Sequence, residues 1–431
     1  MFLNTLGVGE KMVKNWVSAA IKDGCLENSG MKQAMIQEKK KSTSKIKQDI
    51  SRVKHLREFL ERLPKIESHY CRKKTGKLYL EQNFKSKTEV YNLYSCKFSN
   101  EFEDLNLALF KPRKDQCDVC SSYKMKQVTE EQYVAHIKAK DLARAEKETD
   151  KARAIREEIH CFVVDVQAVK LCPVLQASSL YYKTKLQIHN FTVYNLKNHR
   201  SMNFVWNETE AELDSSVFTT CLIKHLEEYL TNEKKNIIVF SDGCGYQNRN
   251  VVLANGLSVL ASKYDVEIEQ KYLERGHTQM ECDSTHSLIE RKLKNRQIFL
   301  PTDYISVINE SRKTPTPLEV AYLNHDFFLN YNDPKKFRYS SIRPGKSKGD
   351  LKVTDIRALK YLSNGEIFYK VAHDEKYELL PQRKNTVNHN SNYDNLYSNR
   401  LKISKKKWHD LQEMKSVLPT DVHYFYDEKL Y

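Results

Sequence analysis

The chain has 431 residues, with 71 Lys and Arg against 56 Asp and Glu and a formal net charge of +15. This length excludes a chain too short to bury a core and suggests about two to four domains. The basic excess speaks of partners rather than fold and suits a nucleic-acid binder. No stretch approaches the roughly 18 apolar residues of a membrane span, and Met1 to Val8 lacks the charged start and apolar run of a secretory leader. The expectation is a soluble intracellular protein without a membrane partner. Its 10 cysteines are then reduced, and close Cys/His pairs read first as metal ligands. Lys39, Lys40 and Lys41 form a weakly specific basic cluster that fits nuclear import.

Residues 1–26 read as a helix-turn-helix-like segment. Val13, Trp16, Val17 and Ala20 recur at helical spacing after Gly7, and Lys11, Lys14 and Asn15 face outward as DNA-binding candidates. An ordinary helical hairpin has the same pattern. Residues 27–47 are polar and Lys-rich, a linker. Residues 48–125 form a helical Cys/His region that opens with an amphipathic helix ended by Pro64. Residues 126–159 contain a highly charged stretch without Gly or Pro, which predicts a long exposed helix projecting from the body.

The pattern changes at residue 160. Cys161 to Val166, Lys185 to Leu196 and Ser201 to Trp206 read as three strands. Ser215 to Leu230 is a helix, Asn236 to Phe240 a strand buried on both faces, and Asn250 to Tyr264 an apolar helix. Val266 to Leu273 is a strand and Asp283 to Arg296 a helix with a basic end. The order β-β-β-α-β-α-β-α predicts an α/β fold with a ribonuclease-H-like core over residues 160–300. Residues 315–431 are broken by Pro315, Pro317, Pro344 and Gly345 and contain a hairpin pattern around Gly365, read as a small β-rich C-terminal domain.

Asp165 ends the first core strand and Asp242 the fourth. Strand ends on one edge of a sheet are where α/β folds place their chemistry. Two carboxylates that close repel each other unless a divalent cation sits between them, and hard oxygens suit Mg²⁺ or Mn²⁺. The third acid is Asp283, at the helix start, or Glu290, two turns later on the same face. Asp283 also fits a helix cap and Glu290 a surface ion pair. His277 and His286 flank this segment, and either can contact a metal or phosphate; His277 is the one placed at the acidic site. Gln247 and Asn248 follow Asp242 and either position a phosphate or cap a helix. Arg291 and Lys292 in the basic helix end are further DNA candidates.

The pair Cys117 and Cys120, with His69 and Cys71 some 45 residues earlier, supplies four ligands suited to tetrahedral Zn²⁺ in a structural site. Buried or redox-active thiols are the alternative.

Several stretches resemble a group of transposase-derived proteins of animals. They are KIESHYCRKKTGKLYL (65–80), KPRKDQCDVCSSYK (111–124), FVVDVQAVKLCP (162–173), IHNFTVYNL (188–196), FSDGCGYQNRN (240–250), ERGHTQMECDSTHSLIERKL (274–293) and SIRPGKSKGDLKVTDIRALKY (341–361). The resemblance implies a DDE-type integrase-like domain, DNA as substrate, Mg²⁺ or Mn²⁺ as cofactor and action as a homo-oligomer. Carried over, Asp165, Asp242 and Asp283 form the acidic triad, and His69, Cys71, Cys117 and Cys120 the zinc site. The expected activity is DNA cleavage and strand transfer in the nucleus; the alternatives are a domesticated, non-catalytic DNA-binding scaffold and a stand-alone nuclease.

Overall fold

The first strand of the main sheet, β4 (His160–Val166), shows why this region folds as it does. Phe162 and Val164 face one side of the sheet, and Cys161 and Val163 face the other; all four are buried. A strand with both faces covered needs a continuous apolar run, and each such side chain contributes about 1.5–3 kcal/mol. The same alternation holds in β8 (Ile237–Ser241), where Ile237 and Val239 face one layer and Ile238 and Phe240 the other.

The computed structural model describes Lys54, Glu58 and Glu61, residues 65–67, 78–80 and 107–109, and residues 117–428 apart from 181, 348 and 383–391. The helix-turn-helix-like segment (1–26), the linker (27–47), His69 and Cys71 lie outside the described residues. The chain divides into two units, Met1–Lys114 and Asp115–Tyr431. In the first, β1 (Lys65–Glu67), β2 (Leu78–Leu80) and β3 (Leu107–Leu109) make a three-stranded sheet in that order. Lys54, Glu58 and Glu61 are helical and exposed, on one stripe at helical spacing.

The second unit is a mixed α/β body around a 10-stranded sheet. Helices α1 (Asp118–Lys124) and α2 (Glu130–Ile155) precede β4. Then follow β5 (Lys170–Cys172), β6 (Leu186–Asn195), β7 (Ser201–Asn207), α3 (Ser215–Asn232), β8, α4 (Val251–Tyr264), β9 (Ile268–Tyr272), α5 (Glu281–Leu293) and α6 (Asp303–Ser311). The C-terminal part contributes β10 (Glu319–Tyr322), β11 (Ala358–Tyr361), β12 (Ile367–Lys370), β13 (Glu378–Leu379), α7 (Lys405–Met414) and α8 (His423–Asp427). The order across the sheet is β10-β7-β6-β4-β8-β9-β11-β12-β13, with β5 paired to β6. β6 runs antiparallel to β4 and β7, whereas β8 is parallel to both β4 and β9.

Helices α3 and α4 cover one face, through Val217, Phe218, Leu222, Leu253 and Leu257. Helices α2 and α5 lie on the other, with Ala143, Ala154 and Cys282 against β4 and β8. Among the described residues, no helix is long and apolar enough to cross a membrane.

Two expectations are corrected. α2 does not project. Ala143, Lys147, Asp150 and Ala154 form a buried stripe along it. Its charged positions are held by partners far along the chain: Lys147 pairs with Glu281, and Asp150 with Lys271 on β9. Apolar periodicity does not reveal a face buried through ion pairs. Nor do residues 315–431 form a separate β-rich domain. β10 adds to β7, and the β11–β12 hairpin, turned at Gly365, adds to β9. The added strands satisfy edges that would otherwise expose unpaired backbone groups. Proline punctuation marks where the chain breaks, not what it pairs with.

Candidate metal centres

The register of β4 against β8 pairs Val163 with Phe240. Continued by two residues, it sets Asp165 beside Asp242, which follows the last residue of β8. Asp165 lies on the same face as Cys161 and Val163, the face covered by α5. Its antiparallel partner on β6 is Thr192. On α5, Asp283 is the third residue, with His286 one turn on. Single ligand atoms of Asp165, Asp283 and His286 all lie within 4.8 Å of one another, a group that could hold a metal ion.

A chain of hydrogen bonds orients the imidazole. Asn203 donates its amide N–H to the carbonyl of Glu319 at 3.0 Å, so its oxygen faces inward and accepts the Thr192 hydroxyl at 2.9 Å. Having donated, Thr192 accepts from His286 Nε2 at 2.9 Å. Nδ1 is thereby left with its lone pair toward Asp165 Oδ2, 4.0 Å away. A ligand imidazole whose other nitrogen is tied down in this way is held in one tautomer and one ring orientation. Burial, helped by the Lys170 charge, lowers the His286 pKa to about 4, so the ring is neutral as a metal ligand requires.

The carboxyl groups are poised in the opposite sense. Burial, reinforced by the charges of Asp242 and Asp283, pushes Asp165 up to about 7 despite the N–H of Val166 at 2.8 Å. Burial also raises Asp283, against the opposing N–H of Met280 at 2.8 Å and the charge of Lys147. Asp242 is held by the Cys244 N–H at 3.0 Å and the Asn248 amide at 2.8 Å, both on Oδ1. Carboxylates crowded in this way favour a cation between them.

The burial of Asp165 has a measurable consequence. In metal-free protein the folded state keeps the Asp165 proton up to about pH 7, whereas the unfolded chain loses it near pH 4. Asp165 therefore lowers stability progressively as pH rises from about 4 to 7. The buried histidines His189, His225, His286 and His373, lowered to about 4, act with the opposite sign as pH falls below about 6.5. The Asp165 contribution is isolated by difference. Asp165→Asn is expected to be equal to wild type at pH 4 and more stable by about 2 kcal/mol at pH 8, in urea unfolding without added divalent cation. No widening of the difference with pH would contradict this.

The other candidates fall elsewhere. Glu290 is paired with Lys170 and accepts from Gln167 at 3.1 Å, so it is outside the group around Asp165. Gln247 and Asn248 are buried. Asn248 positions Asp242, Gln247 donates to the Tyr246 hydroxyl at 2.7 Å, and the cap of α4 is Asn250 instead. Arg291 is exposed, and Lys292 is paired with Glu310 at 3.0 Å.

His277 is placed at a second group, not at the acidic one: Cys117, Cys120, His136 and His277 also bring one ligand atom each within 4.8 Å of the others. Cys117 Sγ lies 3.2 Å from His136 Nε2, Cys120 Sγ 3.3 Å from His277 Nε2, and the two Nε2 atoms 3.1 Å apart. His136 sits on α2, 16 residues past Cys120 of the CxxC pair, a spacing that was available in the sequence.

Residues 174–314 match DUF8701, a domain of unknown function. The matched stretch contains Asp242, His277, Asp283 and His286, and begins after Asp165. No curated protein matches the chain.

Proposed function

We propose that this protein is a metal-dependent DNA phosphoryl transferase, transposase-like, built on a ribonuclease-H-like core. The observation that carries this reading is the convergence of Asp165, Asp283 and His286 beside Asp242 at one sheet edge. The strand order β7-β6-β4-β8-β9, with β6 antiparallel, supports the core assignment. The oxygen-rich group suits Mg²⁺ or Mn²⁺, and the thiol-containing group suits Zn²⁺. Divalent ions held by the acidic group would lower the pKa of a bound water and stabilise the leaving oxygen of a phosphodiester.

The chain's own residues do the positioning. Asp165 and Asp242 supply carboxylates from neighbouring strands, and Asp283 adds a third from α5. His286 is kept neutral by burial and is aimed at Asp165 by Thr192 and Asn203. Arg291 and the basic surface hold DNA phosphates. Water, and then a DNA 3′-hydroxyl, is the nucleophile, with the protein acting as a multimer in the nucleus.

The test is nicking of supercoiled plasmid by full-length protein in Mn²⁺. Asp242→Asn is expected to abolish nicking while leaving salt-dependent DNA binding within about twofold. Nicking retained in that variant would sink the assignment. Wild-type protein that binds DNA but never cuts it would favour a non-catalytic scaffold.

A further inference from the structure

We propose that Cys117, Cys120, His136 and His277 form one closed tetrahedral zinc site, and that its ion holds the strap leading into α5 so that Asp283 and His286 meet Asp165. The first half stands on the Cys/His geometry alone; the second rests on the acidic group being the working site.

The four ligands come from three places. Cys117 immediately precedes α1 and Cys120 lies in its first turn, His136 projects from α2, and His277 lies in the β9–α5 connection. In a tetrahedral zinc site, bonds of about 2.0–2.1 Å to nitrogen and 2.3 Å to sulfur place ligand atoms roughly 3.3–3.8 Å apart. The separations of 3.1, 3.2 and 3.3 Å match that spacing within a few tenths of an ångström. Proton placement favours an ion as well. His136 Nδ1 faces Glu274 Oε1 at 3.5 Å, which keeps the proton on Nδ1 and leaves the Nε2 lone pair pointing inward. That lone pair meets the Cys117 sulfur and the His277 Nε2, two sulfur and nitrogen donors of the kind that Zn²⁺ takes. Four ligands fill a tetrahedral ion, so His69 and Cys71 have no role in it.

The backbone is shaped to this contact. Gly276 has φ +77°, and a Cβ there would lie 2.7 Å from Cys117 Sγ. Only glycine lets the strap pass under the thiol. The strap runs from Gly276 through His277 to Met280, whose N–H donates to Asp283. Within α5, Cys282 reaches the Val163 carbonyl on β4 at 3.4 Å, and Glu281 pairs with Lys147 on α2. Six positions separate His277 from Asp283. A ligand bond at one end therefore limits the freedom of a carboxylate at the other.

The experiment uses full-length protein and two probes. Zinc content is measured by mass spectrometry of the metal, and the site is refilled with Co²⁺ to read its tetrahedral absorption and thiolate charge-transfer bands. Mn²⁺ alone then reports the acidic group, by electron paramagnetic resonance titration. Wild type is expected to carry one zinc per chain. His136→Ala and His277→Ala should lose it, and the double change His69→Ala with Cys71→Ala should keep it. His277→Ala should also weaken Mn²⁺ binding by at least about tenfold. His277→Cys, which retains four ligands, should restore both zinc and Mn²⁺ binding, which separates lost coordination from general misfolding. Zinc retained without His136 and His277 but lost without His69 and Cys71 would overturn the ligand set. Unchanged Mn²⁺ affinity in zinc-free His277→Ala would overturn the coupling. Asp242→Asn should leave zinc content and the Co²⁺ spectrum unchanged, so failure of the cleavage reading is scored separately.

Discussion

Asp283→Asn and His286→Ala are each expected to reduce Mn²⁺-dependent DNA cleavage by about 10³-fold or more, whereas Glu290→Gln should remain within about tenfold of wild type. The three residues share one helix, and sequence spacing alone allows Asp283 or Glu290 to complete the site. The structure separates them by what each already holds. The Asp283 carboxylate lies within 4.8 Å of Asp165 and His286 ligand atoms, and it accepts the N–H of Met280. Glu290 is engaged by Lys170 and Gln167, and Lys170 would have to be displaced to free it. His286 has the greater discriminating value. Thr192 fixes its Nε2, so Thr192→Val should leave the ring present but free to turn, with a smaller loss of about 10–100-fold in Mn²⁺ affinity. Single-turnover cleavage at saturating DNA measures all of these. A Glu290→Gln defect as deep as that of Asp283→Asn would reverse the assignment.

The second large effect concerns stability. Lys271→Met is expected to destabilise the protein by about 3–5 kcal/mol in urea unfolding at pH 7. Lys271 is 3% exposed and meets Asp150 at 2.6 Å, Glu146 at 2.7 Å and Glu269 at 3.2 Å. Although its burial opposes the charge, these carboxylates hold its ammonium well above the usual lysine range. Removing that charge leaves three carboxylates facing each other across the seam between α2 and β9, with Lys360 beside Glu269, Lys370 beside Glu146 and Arg153 beside Asp150. Adding Asp150→Asn to Lys271→Met should recover part of the loss, because it removes one uncompensated charge. A loss below about 1 kcal/mol would show that water reaches the seam and screens it. Glu269, pulled down to about 2 chiefly by the Lys271 charge against its own burial, should add stability that is present above about pH 4.5 and lost as pH falls toward 2.

Much of this architecture was legible in the chain because burial writes itself into periodicity. The runs around Phe162 and Val239 are apolar at every position, and that is what a strand covered on both faces requires. The positions of Asp165 and Asp242 followed, since each terminates such a run. Where the periodic signal was not apolar, the reading failed. The inner face of α2 is Lys147 and Asp150 flanked by alanines, which in sequence looks like solvent-exposed charge. Strands β10 and β11 look like parts of a separate domain, because nothing in a short strand names the edge it joins.

The sequence by itself determined the succession of strands and helices, the two aspartates that follow apolar strand runs, and the pairing of Cys117 with Cys120 in one turn. All three rest on contacts between near neighbours or on one residue's own burial. Only the tertiary structure decided how the two histidines are divided. His277 joins the Cys120 thiol 157 residues away and His136 at a separation of 141, while His286 turns to Thr192 at a separation of 94. The two histidines are nine positions apart on one strap and helix, and local spacing treats them alike. What separates them is which of the two packed layers, α1 and α2 or β4 and β6, lies across from each. That is a property of the folded sheet, set by the sum of its packing, and no single stretch of the chain carries it.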